Sequence, residues 1–246
     1  MKLLNDNEKG LEKPKVFRKD VVIKLKDVWK IYKMGNVEVN ALQGIDLEIK
    51  KGEFVAIEGP SGSGKSTAMN MVGCLDIPSK GKVFLDGKDI SRLGESQLAQ
   101  IRGKKIGFIF QQFNLLPTLS ALENVMMPMM FQGINTEKRI ERAEKLLKMM
   151  ELGDRMHHRP TELSGGQQQR VAIARSLSND PEIILADEPT GNLDSKTGKN
   201  MIHFLEELNK QGKTIIIVTH DASIAKRAHR VEFLKDGQIV KRIKKR

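Results

Sequence analysis

The sequence predicts an α/β fold, with a mainly parallel sheet that carries an antiparallel β patch and an inserted helical lobe. Three observations predict it. Short apolar runs of strand length, "FVAIEG", "KIGFIFQQ", "EIILADE" and "KTIIIVTHD", are separated by longer segments, and strands alternating with helices form a mainly parallel sheet. Other β-rich segments, "VVIKLKDV" and "VEVNALQGIDLEI", come ahead of the first of these runs. From about residue 118 to 180 the character turns helical: "NTEKRIERAEKLLKMMEL" places Ile140, Ala143, Leu147 and Met150 at helical spacing with charges between them.

In chain order, residues 1–20 are polar, lysine-rich and without periodicity, and are expected to form a flexible charged extension. The β-rich segments from Val21 run through the turn "KKGE" into "FVAIEG", which meets the glycine-rich loop "GPSGSGKST". A helix follows in "KSTAMNMVGCL", then a hairpin in "GKVFLDGKDI", then a buried strand ending at two glutamines. After the helical lobe come the strand "EIILADE", the helix "SKTGKNMIHFLEELNKQG" and the strand "TIIIVTHD". With no internal repeat or long linker, residues 21–246 read as one domain: a core and β part at 21–117 and 181–246, and a helical part at 118–180.

Composition narrows the function classes. At 246 residues, with 39% hydrophobic and 30% charged residues, the chain has the make-up of an ordinary soluble globular protein. No apolar run approaches the roughly 20 residues that span a bilayer. The N-terminal "MKLLNDNEKGLEKPK" has no signal-peptide core, so a cytoplasmic location is expected. Cys74 is the only cysteine, which excludes an internal disulfide and a paired-cysteine zinc site and suggests a buried, inert thiol. The net charge of +11 is concentrated at the end: Lys226–Arg246 holds nine Lys/Arg against two Asp/Glu. That basic tail is open to two readings, an anionic partner surface or a solvated, frayed terminus. One Trp and one Tyr give little for nucleic-acid bases to stack on, and no specific nucleic acid is expected.

The chemistry starts at the loop. Gly59, Gly64, Lys65 and Ser66 match G-x-x-x-x-G-K-[ST], directly after a strand and before a helix. Glycines let backbone N–H groups face phosphate oxygens, and the helix N-terminus adds a favourable field. Lys65 adds positive charge for the β/γ phosphates, and the Ser66 hydroxyl suits Mg²⁺. Further on, "IILADE" ends in two carboxylates: Asp187 is placed to hold Mg²⁺, and Glu188 to orient and deprotonate an attacking water. These residues read as a Mg-dependent nucleotide hydrolase.

The order phosphate loop, "FQQ", "LSGGQQQR", "ILADEP", "LD" and "VTHD" resembles the nucleotide-binding subunits of ABC transporters over about residues 22–240. The phrases "FNLLPTLSALENV", "GCLD" and "DEPTGNLDSKTG" look most like the lipoprotein-release, macrolide-export and cell-division type of these ATPases. The resemblance implies a P-loop NTPase (RecA-like) core that binds ATP and Mg²⁺. Gly59, Pro60, Ser61, Gly62, Ser63, Gly64, Lys65, Ser66 and Thr67 would form its Walker A loop. Asp187 would end Walker B, followed by Glu188 as catalytic carboxylate. Gln111, with Gln112 beside it as the alternative, would touch Mg²⁺ and sense a transmembrane partner. His220 would contact the γ-phosphate, and Tyr32 would stack on adenine, with Trp29 as its nearby competitor.

The same resemblance accounts for the second glycine-rich stretch. Two chains would pack head to tail, so that Ser164, Gly165, Gly166 and Gln167 of one serve the ATP held by the other. Asp194 would communicate across that homodimer. A transmembrane permease is the implied further partner, reached by peripheral association at the cytoplasmic face of the plasma (inner) membrane. Met126, Met127, Met129 and Met130 offer either a soft surface for that partner or internal packing. Two rival functions share these residues: a soluble ATPase acting on DNA or ribosomes, and a regulatory module signalling through a membrane protein.

Overall fold

The computed structural model of the chain describes residues 20–35 and 37–244. The extension expected over residues 1–20 lies outside them but for Asp20. In chain order the first elements are β1 (Val21–Met34), β2 (Val37–Lys50), β3 (Phe54–Glu58), α1 (Lys65–Val72), β4 (Lys80–Leu85) and β5 (Lys88–Asp89). Next come α2 (Glu95–Lys105), β6 (Ile106–Ile109), α3 (Ala121–Phe131), α4 (Thr136–Met149) and α5 (Gly165–Leu177). The chain finishes with β7 (Ile183–Asp187), α6 (Ser195–Lys210), β8 (Thr214–Thr219), α7 (Ala222–Ala225), β9 (Arg230–Lys235) and β10 (Gln238–Lys244).

Two sheets result. One is antiparallel, in the order β2-β1-β4-β5; the other has the order β10-β9-β3-β8-β7-β6, parallel except where β10 turns back on β9. The central strands of the second sheet are buried on both faces. Phe54 and Ala56 of β3, with Ile215 and Ile217 of β8, pack among α3–α6; Val55, Ile57, Ile216 and Val218 pack with α1 and the antiparallel sheet. This is why "FVAI" and "TIIIV" read as unbroken apolar runs: a strand covered on two sides has no wet face to alternate with. Fully burying each Val, Ile or Phe side chain among them contributes about 1.5–3 kcal/mol.

The helical segment packs on one face of this sheet. Ala143 and Leu147 of α4 are fully buried and Met150 nearly so, whereas Ile140 is partly exposed. Of the four methionines, Met129 is buried, Met126 packs against the core, and Met130 is exposed. Cys74 is buried, and burial pushes its thiol up to about 12, which keeps it unreactive.

Two elements were not legible in the sequence. In α2 only Leu98 is buried, so no apolar stripe marks the helix. The basic tail is not frayed through Lys244: it forms the β9–β10 hairpin around Asp236 and Gly237, whose φ values of 47° and 75° make a tight turn. Lys241, Arg242 and Lys244 lie on the edge strand β10, where charge discourages further strand pairing.

Candidate functional site

Because β3, β8, β7 and β6 run parallel, their carboxyl ends open on one edge of the sheet, the usual place for a ligand in such sheets. That edge carries Gly59 after β3, Gln111 after β6, Asp187 and Glu188 at the end of β7, and His220 after β8. Strand register alone therefore gathers residues that are up to about 160 positions apart in sequence.

The phosphate loop is tightly held. A Cβ on Gly59 would lie 2.1 Å from the Leu234 carbonyl oxygen, and one on Gly64 2.4 Å from that of Ala41. The Gly237 N–H donates to the Ser63 carbonyl at 3.0 Å, so the β9–β10 turn buttresses the loop from behind. Side-chain oxygens of Ser120, Asn135, Ser164, Asp194 and Asp221 cap α3 to α7, but α1 starts at Gly64 with no side-chain cap and no acidic residue in its first turn. Its first N–H groups and positive dipole end are thus free for an anion. Lys65 Nζ donates to the Gly59 and Pro60 carbonyls, both at 2.8 Å.

Facing the loop, Asp187 is half-buried, and burial together with the charge of Glu188 raises its carboxyl pKa, with Lys65 opposing. Glu188 takes a left-handed turn, φ 44°, and accepts from Thr219 Oγ1 at 3.3 Å. His220 Nδ1 lies 2.8 Å from its other oxygen. The Gln111 carbonyl accepts from Asn192 Nδ2 at 2.9 Å. Ser61, Gly62, Gly64, Lys65, Ser66, Thr67, Gln111, Asp187 and Glu188 all line one cleft of about 600 Å³.

The remaining expected residues lie elsewhere. Ser164 and Gly165 are exposed at the start of α5, and the segment Ser164–Gln167 contributes nothing to the cleft lining. Ser164 Oγ accepts from the Gln167 N–H, which leaves its own O–H to donate outward. Asp194 caps α6, taking the Lys196 and Thr197 N–H groups and the Thr197 hydroxyl. Tyr32 pairs across the strands with Val39, a cleft residue, and its hydroxyl reaches Asp76 at 3.3 Å. Trp29 instead pairs with Lys80 and donates its indole N–H to Asp27. Asn40, Ala41 and Gln43 of β2, with Asp236 and Gly237, line the cleft without any motif to announce them.

A phosphate loop opposite paired carboxylates at a parallel sheet's carboxyl edge defines a P-loop nucleotide-binding protein. Comparison with known proteins narrows the class. Residues 42–191 match the ABC transporter family. An uncharacterized ABC transporter ATP-binding protein of Thermotoga maritima is 54% identical over 218 residues, 89% of this chain and 93% of the relative. The macrolide export ATP-binding/permease protein MacB of Wolinella succinogenes is 52% identical over 90% of this chain, which spans only 34% of that longer protein. Among solved structures, the dimeric post-hydrolysis state of the cassette MJ0796, bound to ADP and Pi, superposes with a TM-score of 0.85 at 52% identity, covering 91% of this chain and 99% of that one. The same-named protein comes from Methanocaldococcus jannaschii. The chain belongs to the ABC transporter family, as one of its ATP-binding cassettes.

Proposed function

We propose that this cassette is a Mg-dependent ATPase that dimerises on ATP and drives conformational change in a partner membrane permease. The work would be export, lipoprotein extraction or force transmission, performed at the cytoplasmic face of the plasma membrane. The observation that carries the reading is the split of the site. The phosphate loop and both carboxylates share one cleft, while Ser164–Gln167 lie outside its lining, with Ser164 and Gly165 exposed. A second copy, placed head to tail, would bring those groups to the open side of the ATP.

In this arrangement the loop N–H groups and Lys65 hold the phosphates, and Tyr32 stacks on the base. Ser164, Gly165 and Gly166 of the neighbour donate to the γ-phosphate, which ADP lacks. Glu188 takes a proton from the attacking water, and His220 steadies the carboxylate and the γ-phosphate. Among the described residues no three His, Cys, Asp or Glu side chains cluster as a metal site. The donor set is instead a hydroxyl (Ser66), an amide (Gln111) and a half-buried carboxylate (Asp187) whose ionised form is disfavoured as it stands. That set fits a hard cation that keeps phosphate and water oxygens as its other ligands. When bound, Mg²⁺ would supply charge neutralisation across the β and γ phosphates.

An apolar groove suits the permease. Phe108 and Phe110 stack at 5.5 Å, and with Met127, Pro128 and the exposed Phe131 they line a cleft between α2 and α3, beside Gln111 in sequence. The division into a core, 21–117 and 181–246, with an inserted helical part, 118–180, puts that groove where the two parts meet.

The test uses Glu188→Gln with light scattering. Loss of the base slows hydrolysis by roughly 10²–10⁴, so ATP should hold a dimer that ADP does not, and Ser164→Arg should abolish it. An ATP-binding Glu188→Gln protein that stays monomeric, even with its permease present, would sink the cross-chain assignment.

A further inference from the structure

We infer that Gln169 and Arg175 are positioning residues through which the helix carrying "LSGGQ" holds the hydrolytic loops of its own chain, so that contact with the neighbour's nucleotide acts on this chain's Gln111 and Glu188. The inference rests on the reading of Ser164–Gln167 as the neighbour's ATP contact.

The helix α5 is about 20 Å long at 1.5 Å per residue. Its N-terminal end is exposed; its body is buried, with Val171, Ala172 and Ala174 fully enclosed. Two polar side chains leave that body for the nucleotide edge of the sheet. Gln169, 3% exposed, donates Nε2 to the Pro189 carbonyl at 2.8 Å, and Pro189 directly follows Glu188. Arg175 donates Nη2 to the Phe113 carbonyl at 2.8 Å and Nη1 to that of Asn114, just after Gln111 and Gln112. Among the described residues no carboxylate pairs with Arg175, and burial lowers its pKa. A guanidinium kept in such a place is held by the two carbonyls and holds them in return.

The two loops also grip each other. Asn192 donates to the Gln111 carbonyl, and a Cβ on Gly191 would lie 2.7 Å from Gln111 Nε2. A shift of α5 along its axis therefore moves both loops together, because packed side chains transmit displacement rather than absorb it. One rigid helix with the neighbour's γ-phosphate at its tip and its own chain's base at its flank links the two half-sites in a dimer.

The experiment measures steady-state ATP hydrolysis by the full chain as Arg175→Met, Arg175→Lys and Gln169→Ala, with melting temperatures alongside. Arg175→Met should lower kcat roughly tenfold to a hundredfold, the scale of a misplaced catalytic group, while KM stays near wild type. Its Hill coefficient for ATP should fall towards one, since the link between half-sites is cut. Arg175→Lys keeps the charge and reaches one carbonyl, and should fall between; Gln169→Ala should lose cooperativity through the other contact. Wild-type kcat and cooperativity in Arg175→Met would overturn the inference, as would a loss that follows KM or melting temperature alone. If Arg175→Met fails to fold, Gln169→Ala and Arg175→Lys decide by the same readings. A wild-type chain without ATP hydrolysis would instead overturn the proposed function.

Discussion

Replacing Gly64 and Gly62 separately by alanine tests whether the phosphate loop is held by contact or only by backbone conformation. Both residues have positive φ, 96° and 77°. An L-residue there costs about 1–2 kcal/mol, partly offset by about 0.4–1 kcal/mol from a less flexible unfolded chain. The two sites differ in what a methyl group meets. At Gly62 nothing lies within 4 Å, whereas at Gly64 the Ala41 carbonyl oxygen would be 2.4 Å away. Ordinary C···O contacts begin near ~3.3 Å, so β2 or the loop must give by close to an ångström. Overpacking of this kind costs about 1–3 kcal/mol. Gly62→Ala should therefore cost about 1 kcal/mol and Gly64→Ala about 2–4 kcal/mol. At ~2–4 °C per kcal/mol for a chain this size, the nucleotide-free melting temperature should drop by up to about 4 °C in the first and roughly 5–15 °C in the second. Should the loop relieve the clash by moving, Gly64→Ala would instead lose the rise in melting temperature that ATP produces. A Gly64→Ala protein that melts like Gly62→Ala and keeps the ATP-induced rise refutes the buttressing argument.

Asp187 and the carboxylates at the opposite ends of β7 and β8 predict pH effects of opposite sign. The raised pKa of Asp187 means its contribution is full below the ordinary carboxyl range and lost as pH rises through the raised value. Asp187→Asn should thus raise the neutral-pH melting temperature of the nucleotide-free protein, with the gain shrinking below about pH 4, while hydrolysis is lost; a lower melting temperature at pH 7 would contradict this. Asp180 and Glu182 are held low by hydrogen bonds from Lys213 and Lys105, so their stabilisation is present above the usual carboxyl range and disappears as pH falls through the lowered values. Denaturant titration of Asp180→Asn across pH should show its deficit only at the higher pH. Arg230 bonds Glu53, the Glu48 carbonyl and the fully buried Glu232. Arg242 also reaches Glu232, at 2.6 Å, so Arg230→Met should cost less than the about 3–5 kcal/mol of a wholly stranded buried charge, and Glu232→Gln should recover part of it. No recovery in the double variant would show that packing, not charge, accounts for the loss.

Sequence by itself determined what depends on neighbours along the chain. "FVAIEG" before "GPSGSGKST" implied a strand, a helix start and an anion loop, because strand propensity, glycine freedom and the helix dipole are local properties. "IILADE" marked an apolar strand with carboxylates at its tip for the same reason. What tertiary structure alone decided depends on register and on contacts between distant segments. The hairpin of the basic tail is one case: its turn donates to Ser63 from 174 positions away, and nothing in "KDGQ" names that acceptor. The setting of Tyr32 and Trp29 is another, fixed by bulges in β1 that give Tyr32 the cleft residue Val39 as partner and turn Trp29 towards Lys80. Arg175 is the third, since a guanidinium's carbonyl partners follow from how α5 packs against the loop after β6. Side-chain alternation and caps are written in a few adjacent residues, but which loops a packed helix touches is set only when the core closes around it.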